Sequence, residues 1–166
     1  SMENPYATIA TALSQVTAER NIIYLKAGSY KEHNLTISQN ITIRGELRDD
    51  VIIDAEQAGN IFNINSEGAV DINSLTLING SSTNGGLIYI GCGEVSIYNN
   101  VFANSTAIYG GAIYVGSDPS IYNNIFDGLS ASYGGAIYVD NDADIYSNEF
   151  SNLEGNGSAI FLNSGA

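Results

Sequence analysis

The chain has 166 residues, 44% of them hydrophobic, and a formal net charge of -13 at pH 7. That is enough apolar material for one domain with a real core, and too much for a disordered chain despite 18 glycines. All five Lys and Arg (Arg20, Lys26, Lys31, Arg44, Arg48) fall in the first 48 residues, while 14 acids and no base follow from Asp49 onward, which argues against nucleic acid as a partner.

Asn4-Pro5 is expected to open a helix, Asn4 as N-cap and Pro5 at the first helical position. Ile9, Leu13 and Val16 recur at helical spacing beside Ala12, a stripe suited to a lid over the end of a solenoid. Asn21 ends this segment and Ile22-Ile23-Tyr24-Leu25 is the first predicted strand. Ala27 to Tyr30 reads as a turn. We take residues 1–33 as an N-terminal cap and 34–166 as coil repeats.

The first coil holds Leu35-Thr36-Ile37, Ile41-Thr42-Ile43 and Val51-Ile52-Ile53, with Gly45 and Asp49-Asp50 at turns. Alternation puts Leu35, Ile37, Ile41 and Ile43 on one face. The next coil runs Ile61 to Ile64, Val70 to Ile72 and Leu75 to Leu77. From there a phrase repeats: Gly85-Gly86-Leu87-Ile88-Tyr89-Ile90, Gly110-Gly111-Ala112-Ile113-Tyr114-Val115, Gly134-Gly135-Ala136-Ile137-Tyr138-Val139, and finally Gly157 to Leu162. Its spacing is 26 residues from Ile61 to Leu87, then 25, 24 and 23. A period of this size in short Ile-, Val- and Tyr-rich segments specifies a stacked β-solenoid.

Stacking the coils predicts the columns. Phe62, Ile88, Ile113, Ile137 and Ile160 align, as do Ile64, Ile90, Val115, Val139 and Leu162. Ile72, Ile97, Ile121 and Ile145 form a third inward column, and Leu77, Phe102, Phe126 and Phe150 a fourth. Leu75, Asn100, Asn124 and Asn148 meet at a bend, the asparagines reading as an inward amide ladder. Three outward columns carry tyrosine: Tyr89, Tyr114 and Tyr138; Tyr98, Tyr122 and Tyr146; Tyr109 and Tyr133. Two readings of these stripes stand side by side: aromatic stacking that stabilises neighbouring coils, and a platform for sugar rings or a partner surface.

At these residues the chain resembles a known group. The Gly-Gly-Ala-Ile-Tyr-Val and Ile-Tyr-Asn-Asn-x-Phe phrases are similar to the adhesin-like surface proteins of methanogenic archaea. Ile23 to Tyr30, Asn40 to Gly45, Ile52-Ile53-Asp54 and Leu75 to Gly80 add to the match. The resemblance implies an all-β, right-handed parallel β-helix of the pectate-lyase type, exported to the cell surface; the repeats themselves predict about six coils. The Gly-Gly-Ala-Ile phrase is also similar to chlamydial polymorphic outer-membrane proteins. Their Phe-x-x-Asn companion is missing here, since Ser105, Leu129 and Leu153 stand three residues past Phe102, Phe126 and Phe150.

Chemistry has little material. Lyases of such a fold need a basic group, and none follows Asp49. Hydrolases need clustered carboxylates with a His nearby, but His33, read as a solvated turn residue, is remote in coil number from Asp118, Asp127 and Asp140. Cys92 reads as a free structural thiol. Asp140, Asp142 and Asp144, with Asn141, are the one candidate calcium site; the alternative is a plain acidic turn, since only the start of an EF-hand loop is matched. No other cofactor is expected. Asn34, Asn40, Asn79, Asn104 and Asn156 are glycosylation acceptors by pattern, and Asn40 is expected in the coil wall. Ser1-Met2 reads as a cloning remnant, and the repeats are expected to continue past Ala166.

The expected function is a non-catalytic, extracellular adhesin module that attaches to a glycan or protein of another cell, with no membrane insertion in this stretch. The alternative is a carbohydrate-active enzyme, a polysaccharide lyase or glycoside hydrolase, of the β-helix class.

Overall fold

Short runs of alternating apolar residues, broken by residues that tolerate left-handed backbone, close this chain into stacked coils. The computed structural model describes residues 5–155 and 158–163, which form a parallel β-solenoid of about six coils. The opening coils contain β1 (Ile22–Leu25), β2 (Gly28–Lys31), β3 (Leu35–Ile37), β4 (Ile41–Gly45) and β5 (Val51–Asp54). The next coils contain β6 (Phe62–Asn73), β7 (Thr76–Ile78), β8 (Ser81–Asn84), β9 (Ile88–Tyr98) and β10 (Val101–Tyr109). Then come β11 (Ile113–Val115), β12 (Ser120–Tyr122), β13 (Ile125–Tyr133), β14 (Ile137–Val139), β15 (Asp144–Tyr146), β16 (Glu149–Ser151) and β17 (Ile160–Leu162).

Two sheets wrap the core. One has ten strands along β1-β4-β6-β9-β11-β14-β17, with β3, β12 and β15 alongside; the other has seven along β2-β5-β7-β10-β13-β16, with β8 on β10. The predicted columns are in register: Ile113 pairs with Ile88 and Ile137, Ile121 with Ile97 and Ile145, Phe126 with Phe102 and Phe150. Phe62, Phe102 and Phe126 are fully buried. Burial of each such ring contributes about 1.5–3 kcal/mol.

The N-terminal end departs from expectation. Asn4 lies outside the described residues, and Pro5 is not helical. Helix α1 spans only Ile9–Leu13 and is capped by Thr8, whose hydroxyl accepts from the Thr11 N–H at 3.1 Å. The Glu32 carboxylate then takes the Ile9 N–H at 2.6 Å and the Ala10 N–H at 2.9 Å. Side-chain oxygens that satisfy the first-turn donors, rather than the Pro signal, set where this helix starts. Ile9, 1% exposed, is its buried anchor; Leu13 and Val16 pack against the core only in part, Val16 from beyond the helix. The expected Ala27–Tyr30 turn is strand β2 from Gly28 onward, held by parallel pairing to β5 that needs no apolar side chains. Because β1 pairs with β4 and β2 with β5, both strands already belong to the solenoid walls. Gly45 closes β4 rather than sitting in a turn, since a Cβ there would meet the Ser74 carbonyl at 1.9 Å.

The glycine pairs have two separate jobs. Gly85, Gly110 and Gly134 hold φ of 63°, 68° and 65°, where other residues are strained. Gly86 and Gly111 let neighbouring turns touch: a Cβ on Gly111 would lie 2.1 Å from the Gly135 carbonyl oxygen.

Candidate binding surface

The three tyrosine columns stand where the alternation places them, each projecting from the outer side of its strand. Tyr114 stacks on Tyr89 with ring centres 5.3 Å apart and on Tyr138 at 5.4 Å. Tyr138 continues onto Phe161 at 5.3 Å. On β9, β12 and β15, Tyr122 stacks on Tyr98 at 5.1 Å and on Tyr146 at 5.0 Å. Tyr109 and Tyr133 stack at 5.3 Å, and Tyr109 meets Tyr138 edge-on at 5.0 Å, which joins the first and third columns into one aromatic cluster.

This packing decides what a partner meets. Interior rings have a neighbour on both faces, so they offer edges and hydroxyls rather than the open faces on which a sugar ring stacks. Tyr138 is only 8% exposed, whereas Tyr133 and Tyr146 are 44% and 53% exposed. Mutual stacking is therefore a structural role of all three stripes. The upstream Tyr24 differs: Lys26 and Arg44 lie over its ring at 5.3 and 5.6 Å.

Tyr114 is set apart by its hydroxyl, which donates to Asp140 Oδ2 at 2.9 Å. Burial first, then this bond and the carboxylate charge, push its pKa up to about 12. Burial also raises Tyr122, helped by Tyr98, Tyr146 and Asp71, and raises Tyr138, helped by Asp140. Sequence reasoning paired no tyrosine with Asp140. The signal was present: Gly116 bonds to the Ile90 carbonyl and Asp140 to the Val115 carbonyl, so Gly91, Gly116 and Asp140 form one column. The residue above Tyr89 in that column is glycine, whereas above Tyr114 it is a carboxylate.

The acidic turn does not gather into a metal centre. Asp140 spends one oxygen on Tyr114 and the other on the Asn163 amide at 2.6 Å, and Asn141 donates to Asp118 at 3.2 Å. Asp142 and Asp144 are exposed, and Asp144 lies in β15. Among the described residues no three His, Cys, Asp or Glu side chains come together to hold a metal. His33 is exposed beside the Asn34 amide at 3.1 Å. Asn40 lies in an exposed bend, not in the wall as expected, because the chain turns there before β4. Asn156 lies outside the described residues.

Shallow depressions mark the surface of the described residues. The larger of two, about 410 Å³, is lined by Gly91 to Glu94, Gly116 to Asp118 and Asn141, and includes the exposed Cys92 thiol. The smaller, about 270 Å³, lies at Ala107, Ser130 to Ser132 and Gly155. No helix among the described residues is long and apolar enough to cross a membrane. Comparison with family models, curated proteins and solved structures finds no match.

Proposed function

We propose that this chain is a non-catalytic attachment module of the adhesin type, displayed outside the cell, that contacts a glycan or protein of another cell. The observation that carries this reading is the Tyr98–Tyr122–Tyr146 ladder, whose rings are tilted by only 6° and 1° from one another. It presents a straight row of phenol rims on one wall. No hydrogen bond among the described residues occupies these three hydroxyls. The adjacent column runs Asp71, Ser96, Ser120, Asp144, so acids flank the row at both ends. Rims and carboxylates suit partners that hydrogen-bond along a line, such as neutral sugars or peptide amides, and repel sulfated or uronate-rich chains. The resemblance of the repeats to methanogen adhesin-like proteins supports the same reading and the extracellular setting.

Changing Tyr98, Tyr122 and Tyr146 together to Phe keeps the stack and removes the hydroxyls. Attachment to target cells, or to the glycan that an array identifies, should weaken by about tenfold, the equivalent of roughly 1.4 kcal/mol. Undiminished attachment by a folded triple variant would remove this wall from the proposal.

A further inference from the structure

We propose that Tyr114 and Asp140 form a proton-coupled redox pair, which makes their aromatic cluster the place where one-electron oxidants modify this wall, with Tyr133 as the point of cross-linking to a second copy. This does not depend on the attachment reading, which concerns a different stripe.

A neutral phenol that loses an electron becomes a strongly acidic radical cation, so oxidation is easiest where a base takes the proton in the same event. Such a base must stand about 2.6–3.2 Å from the oxygen that releases the proton. Asp140 Oδ2 stands 2.9 Å from the Tyr114 hydroxyl, and the Asn163 amide holds the other oxygen at 2.6 Å. Among the described residues no other stripe tyrosine donates to a carboxylate. From Tyr114 the rings are in unbroken contact: Tyr138 at 5.4 Å, then Tyr109 at 5.0 Å from Tyr138, then Tyr133 at 5.3 Å from Tyr109. The path leads from a half-buried ring to one that is 44% exposed. Tyr98, Tyr122 and Tyr146 stack equally well but lack the carboxylate, which makes them an internal control.

In the first step a one-electron oxidant, of the high-valent metal or photogenerated metal-complex class, accepts an electron from Tyr114 and is reduced. The phenol proton moves to Asp140 Oδ2, leaving the Tyr114 phenoxyl radical and a neutral carboxylic acid. Tyr114 then regains an electron from Tyr133 through Tyr138 and Tyr109 and its proton from Asp140, while Tyr133 releases a proton to water. Two Tyr133 radicals on separate copies join ring carbon to ring carbon, and the displaced ring hydrogens move to the oxygens. Each dityrosine link consumes two oxidising equivalents and releases two protons.

The test is photo-oxidation of the whole chain with a ruthenium(III) polypyridyl complex, followed by mapping of dityrosine peptides by mass spectrometry. In wild type, links at Tyr133 should outnumber those at the more exposed Tyr146. Asp140→Asn and Tyr114→Phe should each cut the Tyr133 links severalfold with products at Tyr146 unchanged, and Asp140→Glu should restore part of the yield. Wild-type links mainly at Tyr6, Tyr24 or Tyr146 would overturn the proposal without any variant. Equal Tyr133 yields in wild type, Asp140→Asn and Tyr114→Phe would overturn it as well.

Discussion

The side-chain oxygen of Asn124 accepts two hydrogen bonds from Asn100, one from its backbone N–H at 3.0 Å and one from its amide at 3.2 Å. The Asn124 amide in turn reaches the Ile97 carbonyl at 2.9 Å and the Asn148 oxygen at 3.0 Å. Asn100 and Asn124 thus each tie three coils together, and Asn148 ties the last two. Each stands where the chain bends, one residue after a left-handed position at Asn99, Asn123 or Ser147. No buried side-chain nitrogen or oxygen among the described residues lacks a partner.

Asn124→Ala should therefore be among the most damaging single changes. It removes the partners of the buried Asn100 N–H and of the Ile97 carbonyl on the preceding coil, while Asn148 Oδ1 keeps the backbone N–H of residue 124, and each orphan costs about 1–3 kcal/mol. A loss of roughly 3 kcal/mol or more is expected in urea unfolding. Asn148→Ala, on a partly exposed side chain, should cost distinctly less. Equal losses would mean that the ladder adds nothing beyond its individual bonds.

The helical lid makes a second test. Ile9→Ala should cost about 2–4 kcal/mol, the range for truncating a buried aliphatic chain. Leu13→Ala should cost less, because Leu13 is only partly buried. Glu32→Ala removes the acceptor of two first-turn N–H groups and should cost about 1–2 kcal/mol. Thermal unfolding of the three variants should rank them with Ile9→Ala lowest in Tm.

Much of this fold was legible in the sequence because a solenoid repeats its own evidence. The inward columns could be read by aligning four or five copies, and the asparagine ladder announced itself as three polar residues in an otherwise apolar register. The opening coils were less legible since they have no second copy: β2 is held by backbone pairing, and the helix start by Glu32, twenty-three residues away from Ile9. The stripes were legible as columns, and the stacking between coils that was one of their two readings is what the ring geometry realises, closing the ring faces. The Tyr114–Asp140 contact was hidden for another reason, because it joins two columns rather than running along one.

The glycine pairs give a third prediction. Gly110→Ala places a Cβ 2.0 Å from the Ile113 carbonyl oxygen at a φ of 68°. Gly111→Ala suffers no left-handed strain but brings a Cβ to 2.1 Å from the Gly135 carbonyl oxygen on the next coil. Both atoms in the way are backbone and cannot swing aside, so each variant should lose about 1–3 kcal/mol or more. Gly135→Ala is the control: its nearest contact is the Leu153 side chain at 3.4 Å. It should unfold close to wild type.

The last prediction concerns alkaline pH. Burial is the largest cause raising Tyr30, Tyr114, Tyr122 and Tyr138, so each phenol gives up its proton later in the folded chain than in the unfolded one. An unfolded tyrosine titrates near about 10. Below that pH both states hold the proton and stability is fully present. Above it the unfolded state ionises first, and stability falls as pH rises toward about 12, where Tyr114 ionises in the fold. Denaturant unfolding from neutral to alkaline pH should show this decline, and phenolate absorbance of the folded protein should lag behind that of the unfolded chain. Asp140→Asn removes the charge and weakens the bond but leaves the burial, so Tyr114 should titrate earlier than in wild type yet still above an exposed tyrosine. Its share of the alkaline destabilisation should shrink accordingly. A folded protein whose tyrosines all titrate together at the ordinary value would show that the stacked columns admit water freely, and the aromatic walls would then be looser than their 5.0–5.4 Å stacking implies.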